Sequence, residues 1–252
     1  MKQKRIILGS GYAAVGYALT RGETMIVEES EHLDTAFCLP LRSFSYPEAE
    51  PKTELGQELL RIWKTLGIIK GELVNTGALE IGLASLALDK RLCPMLKCRV
   101  TEIKDRAVEL YSNSGFSSVE AEIIHDARTW DVTPDRLTLL YEAKDDQCEA
   151  SLLSTFPGAS IERTFYDGRY AIHIPIDPKR EPNALRAELA GRWEESIRGA
   201  KIVMIAPKLA ASLPSKRPSA SSLCDLAYRS PLEALEGGVA FALEEMQKEG
   251  IR

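Results

Sequence analysis

The sequence predicts an α/β fold. A parallel strand–helix–strand unit comes first, a three-stranded antiparallel meander follows, and a small antiparallel section precedes a return to strand and helix. Three observations carry that prediction. An apolar run, a glycine turn, a helix of small residues and a second apolar run all fall within the first thirty residues. Beyond residue 98 the apolar positions alternate instead of recurring at helical spacing. From residue 200 the chain reads as a short strand and then, after a Ser/Pro-rich stretch, a long capped helix. This order divides the chain into two interleaved parts, residues 1–129 with 200–252, and residues 130–199.

Taken in order, residues 5–8 (RIIL) form a short buried strand. Gly9-Ser10-Gly11 is a turn, residues 12–20 are a helix ended by Gly22, and residues 24–28 (TMIVE) are a second apolar strand. Prolines 40, 47 and 51 make residues 30–52 irregular. Residues 53–67 form an amphipathic helix with Leu55, Leu59, Ile62, Trp63 and Leu66 on one stripe, and residues 77–92 form another helix. Residues 98–103, 107–112 and 119–125 are the meander, with Asn113-Ser114-Gly115 as its second turn. Residues 137–141, 150–154 and 170–176 are further strand candidates. A helix at 184–198, a strand at 201–205, a loop at 213–222 and a helix at 230–246 complete the chain.

Of the 252 residues, 44% are hydrophobic and 27% charged, an ordinary globular balance on a chain long enough to bury a core. The net charge is −5 with acids and bases interspersed, so nothing in it points to nucleic acid or an anionic membrane. No stretch approaches the ~20 apolar residues of a membrane span. The basic start at Lys2, Lys4 and Arg5 leads into a run broken by Gly9, Gly11 and Gly16, unlike a secretory signal. The five cysteines, at 38, 93, 98, 148 and 224, make no CxxC pair and no zinc spacing. Reduced thiols in a cytoplasmic protein without a structural metal are expected.

Gly9-Ser10-Gly11-Tyr12-Ala13-Ala14 fits G-x-G-x-x-G/A. The first glycine permits a tight turn, the second lets backbone approach a pyrophosphate, and the small Ala14 lets helix and strand pack. The N–H groups at the start of the helix then face the phosphates. Glu28 ends the second strand nineteen positions after Gly9, where an acid binds ribose hydroxyls, with Glu29 beside it. Such an acid disfavours a ribose 2′-phosphate, leaving FAD or NAD.

With those residues in place, GSGYAAVGYALTRGETMIVEES resembles the opening of FAD-dependent oxidoreductases of the glutathione-reductase-like group. The resemblance implies a Rossmann-like FAD-binding domain with a parallel sheet, a three-stranded meander and a small antiparallel substrate or cap section. The segments CRVTEI, AVELYS and VEAEIIHDA are similar to the meander of that family, where a valine placed like Val100 meets the adenine through its backbone. Asp126-Ala127-Arg128-Thr129 departs from the family's Ala-Thr-Gly. The segment SLCDLAYRSPLEALEGGVAFALEEM resembles the closing motif, which places Asp225 toward the ribitol–pyrophosphate region; Cys224 stands where the family has glycine. The resemblance also runs residues 35–42 (TAFCLPLR) along the cofactor, with Arg42 pairing with phosphate. Read from the residues alone, Ser230 is an N-cap, Pro231 opens the helix and Glu233 completes a capping box. Gly237 and Gly238 allow close packing of that helix.

The three histidines, 32, 125 and 173, pair with no serine or cysteine nucleophile and form no metal motif. Cys38 and His173 remain the catalytic candidates, Cys38 for its place along the cofactor and His173 for its place in the substrate section. A flavin carries hydride chemistry itself, so the chain need not advertise a catalytic side chain. The expected function is hydride transfer between a small organic substrate and FAD. Two alternatives stand beside it. Arg128 and Cys224 at family glycine positions fit a degenerate homologue serving as a structural or regulatory subunit. The glycine turn alone also fits an NAD-dependent dehydrogenase, against which the meander counts. Residues 130–199 are a short substrate section, so a homo- or hetero-oligomer is expected to cover the site, with Phe165, Tyr166 and Tyr170 at the contact.

Overall fold

A computed structural model describes residues 2–34, 36–41, 50–128, 133–143, 148–210 and 222–250. Strand β1 (Lys2–Leu8) is polar in its first half and buried over its last four residues, the pattern of a central parallel strand. Gly9 and Gly11 follow with φ of 97° and 144°, which L side chains rarely adopt. Helix α1 (Tyr12–Arg21) ends at Gly22, and β2 (Thr24–Val27) pairs parallel with β1 from Arg5↔Thr24 to Leu8↔Val27. The predicted strand–turn–helix–strand unit is present.

Thr53 caps α2 (Glu54–Thr65), its hydroxyl accepting from the Gly56 N–H at 3.0 Å. A small hairpin that the sequence reading missed, β3 (Ile69–Lys70) with β4 (Leu73–Val74), leads to α3 (Leu79–Asp89). The meander is β5 (Arg99–Lys104), β6 (Ala107–Ser112) and β7 (Gly115–Asp126). Strand β7 changes partner at Glu120. Its first half is antiparallel to β6, and its second half runs parallel to β1, from Lys2↔Glu120 to Leu8↔Asp126. The sheet order is β2-β1-β7-β6-β5. Side chains alternate across this sheet: Ile7 and Ile26 face the helical core, whereas Ile6, Leu8, Met25 and Val27 pack against Val108, Leu110 and Val119 of the meander.

The second sheet holds β8 (Arg136–Ala143), then β9 (Ser160–Arg163) and β10 (Arg169–Pro175) beyond helix α4 (Cys148–Thr155), and β11 (Ala200–Ile205) beyond helix α5 (Pro182–Ser196). It is antiparallel throughout, in the order β11-β8-β10-β9. Leu137, Leu139, Ile172 and Ile174 bury one face together with Leu185, Leu189 and Trp193 of α5. Two expectations need correction. Residues 150–154, expected as a strand, lie in α4: Cys148, Leu152 and Phe156 are the buried positions, a spacing of four that suits a helix and not a pleat. Strand β11, placed by the sequence reading with the first part of the chain, pairs with β8, so the second sheet extends to Ile205.

Helix α6 (Pro231–Lys248) closes the fold. Ser230 accepts from the Glu233 N–H at 3.2 Å, and the Glu233 carboxylate accepts from the Arg229 N–H at 3.0 Å, one residue before the partner a capping box would give it. α6 lies directly against α1. A Cβ on Gly16 would stand 2.2 Å from the Leu235 carbonyl, and one on Gly238 would stand 1.9 Å from the Ala13 carbonyl. No helix is long and apolar enough to cross a membrane among the described residues.

Candidate functional site

A cleft of about 490 Å³ opens at the C-terminal ends of β1 and β2, lined by Gly9, Ser10, Glu28, Ala127, Arg128, Lys208 and Asp225 among others. Open α/β sheets bind ligands at this end of their strands, and the size falls within the roughly 300–1,000 Å³ of small-molecule sites. Glu28, almost fully buried at the end of β2, ties the glycine turn down. Its Oε2 accepts from the Ser10 N–H at 2.9 Å and lies 2.9 Å from the Ser10 hydroxyl, while Oε1 accepts from the Ser30 N–H at 2.8 Å. Glu29 stands on the rim, 3.7 Å from the Arg99 guanidinium.

The first turn of α1 has no cap of its own, because Gly11 has no side chain and no acid follows. Asp225 supplies the cap from the far end of the chain. Its Oδ2 accepts from the Tyr12 N–H and its Oδ1 from the Ala13 N–H, both at 2.8 Å. Asp225 is only 4% exposed, and a Cβ on Gly11 would stand 2.3 Å from its Oδ2. A bidentate anion on these two donors, above a glycine, occupies the position a phosphate takes at such a turn.

Arg128 leans over Gly9, its Cγ 3.1 Å from where a Cβ would be. Its guanidinium forks onto Asp126, with Nε at 2.9 Å and Nη2 at 2.7 Å from the carboxylate oxygens. That pairing holds the Asp126 carboxyl below the usual carboxylate range. Arg128 and Lys208 are cationic groups lining the cleft, beside the carboxylates of Glu28, Glu29 and Asp225.

The site therefore gathers Gly9, Ser10, Glu28, Glu29 and Asp225, with Gly11 directly beneath the Asp225 carboxylate. Tyr12, Ala13 and Ala14 are fully buried below it and contribute backbone; the Tyr12 hydroxyl donates to the Leu79 carbonyl at 2.7 Å. Val100 is held in the meander opposite Leu110 and does not line the cleft. Arg42 lies outside the described residues. Cys38 does not line the cleft either, although its neighbours Ala36 and Pro40 do. Burial pushes its thiol up to about 12, away from the thiolate a nucleophile needs. His173 sits in the second sheet with Nδ1 2.9 Å from the Thr138 hydroxyl and Nε2 3.8 Å from Glu162, apart from the cleft lining. Lys208 was not singled out by sequence reasoning, and no local signal marked it: it reaches the cleft because β11 runs back along β8.

No family model matches the sequence, and no curated protein matches it. Solved structures do resemble it. A p-nitrophenol 4-monooxygenase from Pseudomonas putida aligns at 14% identity with a TM-score of 0.56, over 100% of this chain and 82% of that one. A geranylgeranyl bacteriochlorophyll reductase-like protein from Thermoplasma acidophilum gives 12% identity and a TM-score of 0.57, over 99% and 79%. A flavoprotein/dehydrogenase from Cytophaga hutchinsonii gives 16% and 0.52, over 99% and 79%. At these identities the likeness establishes the fold: a Rossmann-type α/β architecture with an added antiparallel sheet, as the sequence predicts. These neighbours are a monooxygenase, a reductase-like protein and a flavoprotein/dehydrogenase; the likeness carries the expected α/β fold, and none of the three is named as a member of the glutathione-reductase-like group.

Proposed function

We propose that this chain is an FAD-binding flavoprotein of oxidoreductase type, acting on a small organic substrate. One observation carries the reading: the glycine turn, Glu28 and the Asp225 carboxylate that caps the start of α1 converge on a single cleft in a fold shared with a flavoprotein/dehydrogenase. The backbone frame suits a dinucleotide. Glu28 keeps lone pairs for ribose hydroxyls beyond its bonds to Ser10 and Ser30, with Glu29 next to it. The N–H groups of Tyr12 and Ala13 suit the pyrophosphate, and Lys208 and Arg42 are cations for its charge. The Asp225 carboxylate now holds those two N–H groups, so it has to turn aside. Bound flavin supplies the hydride chemistry; the chain binds it, orients it and excludes water. Glu28 disfavours NADP, and the meander speaks against a plain NAD-dependent dehydrogenase. A cytoplasmic location and an oligomer belong to the same reading.

A second reading is favoured by Asp225 and Arg128 specifically. With a carboxylate in the phosphate position and a long side chain over Gly9, the chain fits a degenerate homologue that serves as a structural or regulatory subunit. Cofactor release separates the two. Purified protein, denatured and chromatographed, is expected to yield FAD, or to take up FAD when it is added. Finding NAD alone overturns the flavin reading, and finding no uptake of either nucleotide leaves the structural subunit.

A further inference from the structure

We propose that Asp225 is an internal competitor for the phosphate cradle, so that a dinucleotide binds this chain only by displacing it; the inference rests on the nucleotide reading of the cleft. The competition is one of like chemistry. A carboxylate and a pyrophosphate are both anions that take two converging N–H donors. Here the donors are the Tyr12 and Ala13 N–H groups, and both are already taken at 2.8 Å. Two anions cannot share that position, and the cost of placing them side by side grows in a buried setting. The resemblance to flavoproteins assigns Asp225 the opposite role, as a residue that faces the cofactor and helps to hold it.

The residues around Asp225 keep it in place. Asp225 opens a single turn, Asp225–Ala227. The Tyr228 hydroxyl donates to the Ser222 carbonyl at 2.7 Å and accepts from the Ser222 N–H at 3.0 Å, which ties the segment into a closed loop. Directly beyond it α6 is locked on α1 through Gly16 and Gly238. The backbone that carries Asp225 is therefore anchored to the helix that Asp225 caps, and displacement falls to the side chain and its own short turn. The carboxylate is tethered beside the cradle, so it competes with a free anion at the raised local concentration of an intramolecular group.

The two roles predict opposite signs for one substitution. Removing the carboxylate weakens binding if Asp225 holds the cofactor, and strengthens it if Asp225 competes. The test titrates wild type, Asp225→Ala and Asp225→Asn with FAD, followed by flavin fluorescence, and with inorganic pyrophosphate, followed by calorimetry. Thermal melts check folding, because Asp225→Ala gives up a helix cap; Asp225→Asn keeps an acceptor oxygen while removing the charge. Both probes are expected to bind Asp225→Ala on the order of tenfold tighter than wild type, with Asp225→Asn between the two. Tighter pyrophosphate without FAD binding to any of the three proteins supports the competition and removes the flavin reading. Pyrophosphate binding that is unchanged or weaker in both variants overturns the competition, and the wild-type FAD titration then judges the flavin reading by itself.

Discussion

Asp34 is fully buried, and its Oδ1 accepts from the Phe37 N–H at 2.8 Å. Its Oδ2 is buried with no hydrogen-bond partner among the described residues. Desolvation pushes the carboxyl up from 3.8 to about 6. A carboxyl whose folded value is raised binds protons more readily in the native state. The stability it contributes is present below pH 3.8 and is lost as pH rises through 6. At pH 7 the ionised form weakens the fold by up to about 3 kcal/mol. Asp34→Asn, which retains the Oδ1 acceptor, is expected to be more stable than wild type in urea at pH 7 and to lose that advantage near pH 4. An equal difference at both pH values would show that Asp34 is not the titrating group. Glu28 is the second test at this scale. Glu28→Ala strands the Ser10 and Ser30 N–H groups, so it is expected to lower stability by about 1–3 kcal/mol and to weaken FAD binding roughly tenfold or more. Unchanged FAD affinity would move the ribose contact to Glu29.

At the scale of elements, the contact between α1 and α6 sets the geometry of the cleft, since one helix carries the cradle and the other follows Asp225. Gly16 and Gly238 meet carbonyl oxygens that cannot yield, at 2.2 and 1.9 Å from a built Cβ. Gly16→Ala and Gly238→Ala are each expected to cost about 3 kcal/mol from overpacking, despite alanine's helical advantage of about 1 kcal/mol. Gly191 in α5 has nothing within 4 Å of its built Cβ, and Gly191→Ala is expected to stabilise by about 0.5–1 kcal/mol. Urea melts of the three variants check the contrast; three similar values would mean that the helices do not approach so closely. The sequence made part of this legible. Gly9, Gly11 and Gly22 punctuate elements through positive φ, a local property that spacing reveals. Gly237 and Gly238 were readable as sites of close packing, but not as packing against Ala13. The helical spacing of Cys148, Leu152 and Phe156 was present in the sequence and was obscured by a run too short to separate a strand from a helix. Asp225 was legible as a residue of the site. Its bonds span 213 and 212 positions of sequence, and no spacing rule says whether such an acid faces a ligand or a helix. Arg128 was visible as a departure, whereas its fork onto Asp126 follows from the end of β7 and not from any motif.

For the whole molecule, the proposed oligomer would cover the second sheet and the cleft. Tyr170 stacks on Tyr141 at 5.5 Å between ring centroids, and the Tyr166 hydroxyl accepts from Asn75 at 2.9 Å, so of the aromatics expected at an interface these two already have partners within the chain. Tyr166 nonetheless remains 47% exposed, and further exposed apolar side chains lie on α3, where Ile81 and Leu88 are 58% and 68% exposed. Apolar surface of this kind fits an oligomer. Light scattering is expected to give a mass that is a multiple of 27.9 kDa, and a monomer at micromolar concentration would contradict it.

The central claim is that a dinucleotide lies on the start of α1 between Glu28 and the Asp225 turn. A crystal structure of the protein grown with FAD tests this most directly. The account predicts pyrophosphate density on the Tyr12 and Ala13 N–H groups, the adenosine ribose against Glu28, and the Asp225 carboxylate turned away from both. FAD bound elsewhere, or a cleft without FAD in which Asp225 still holds those two N–H groups at saturating concentration, would contradict it.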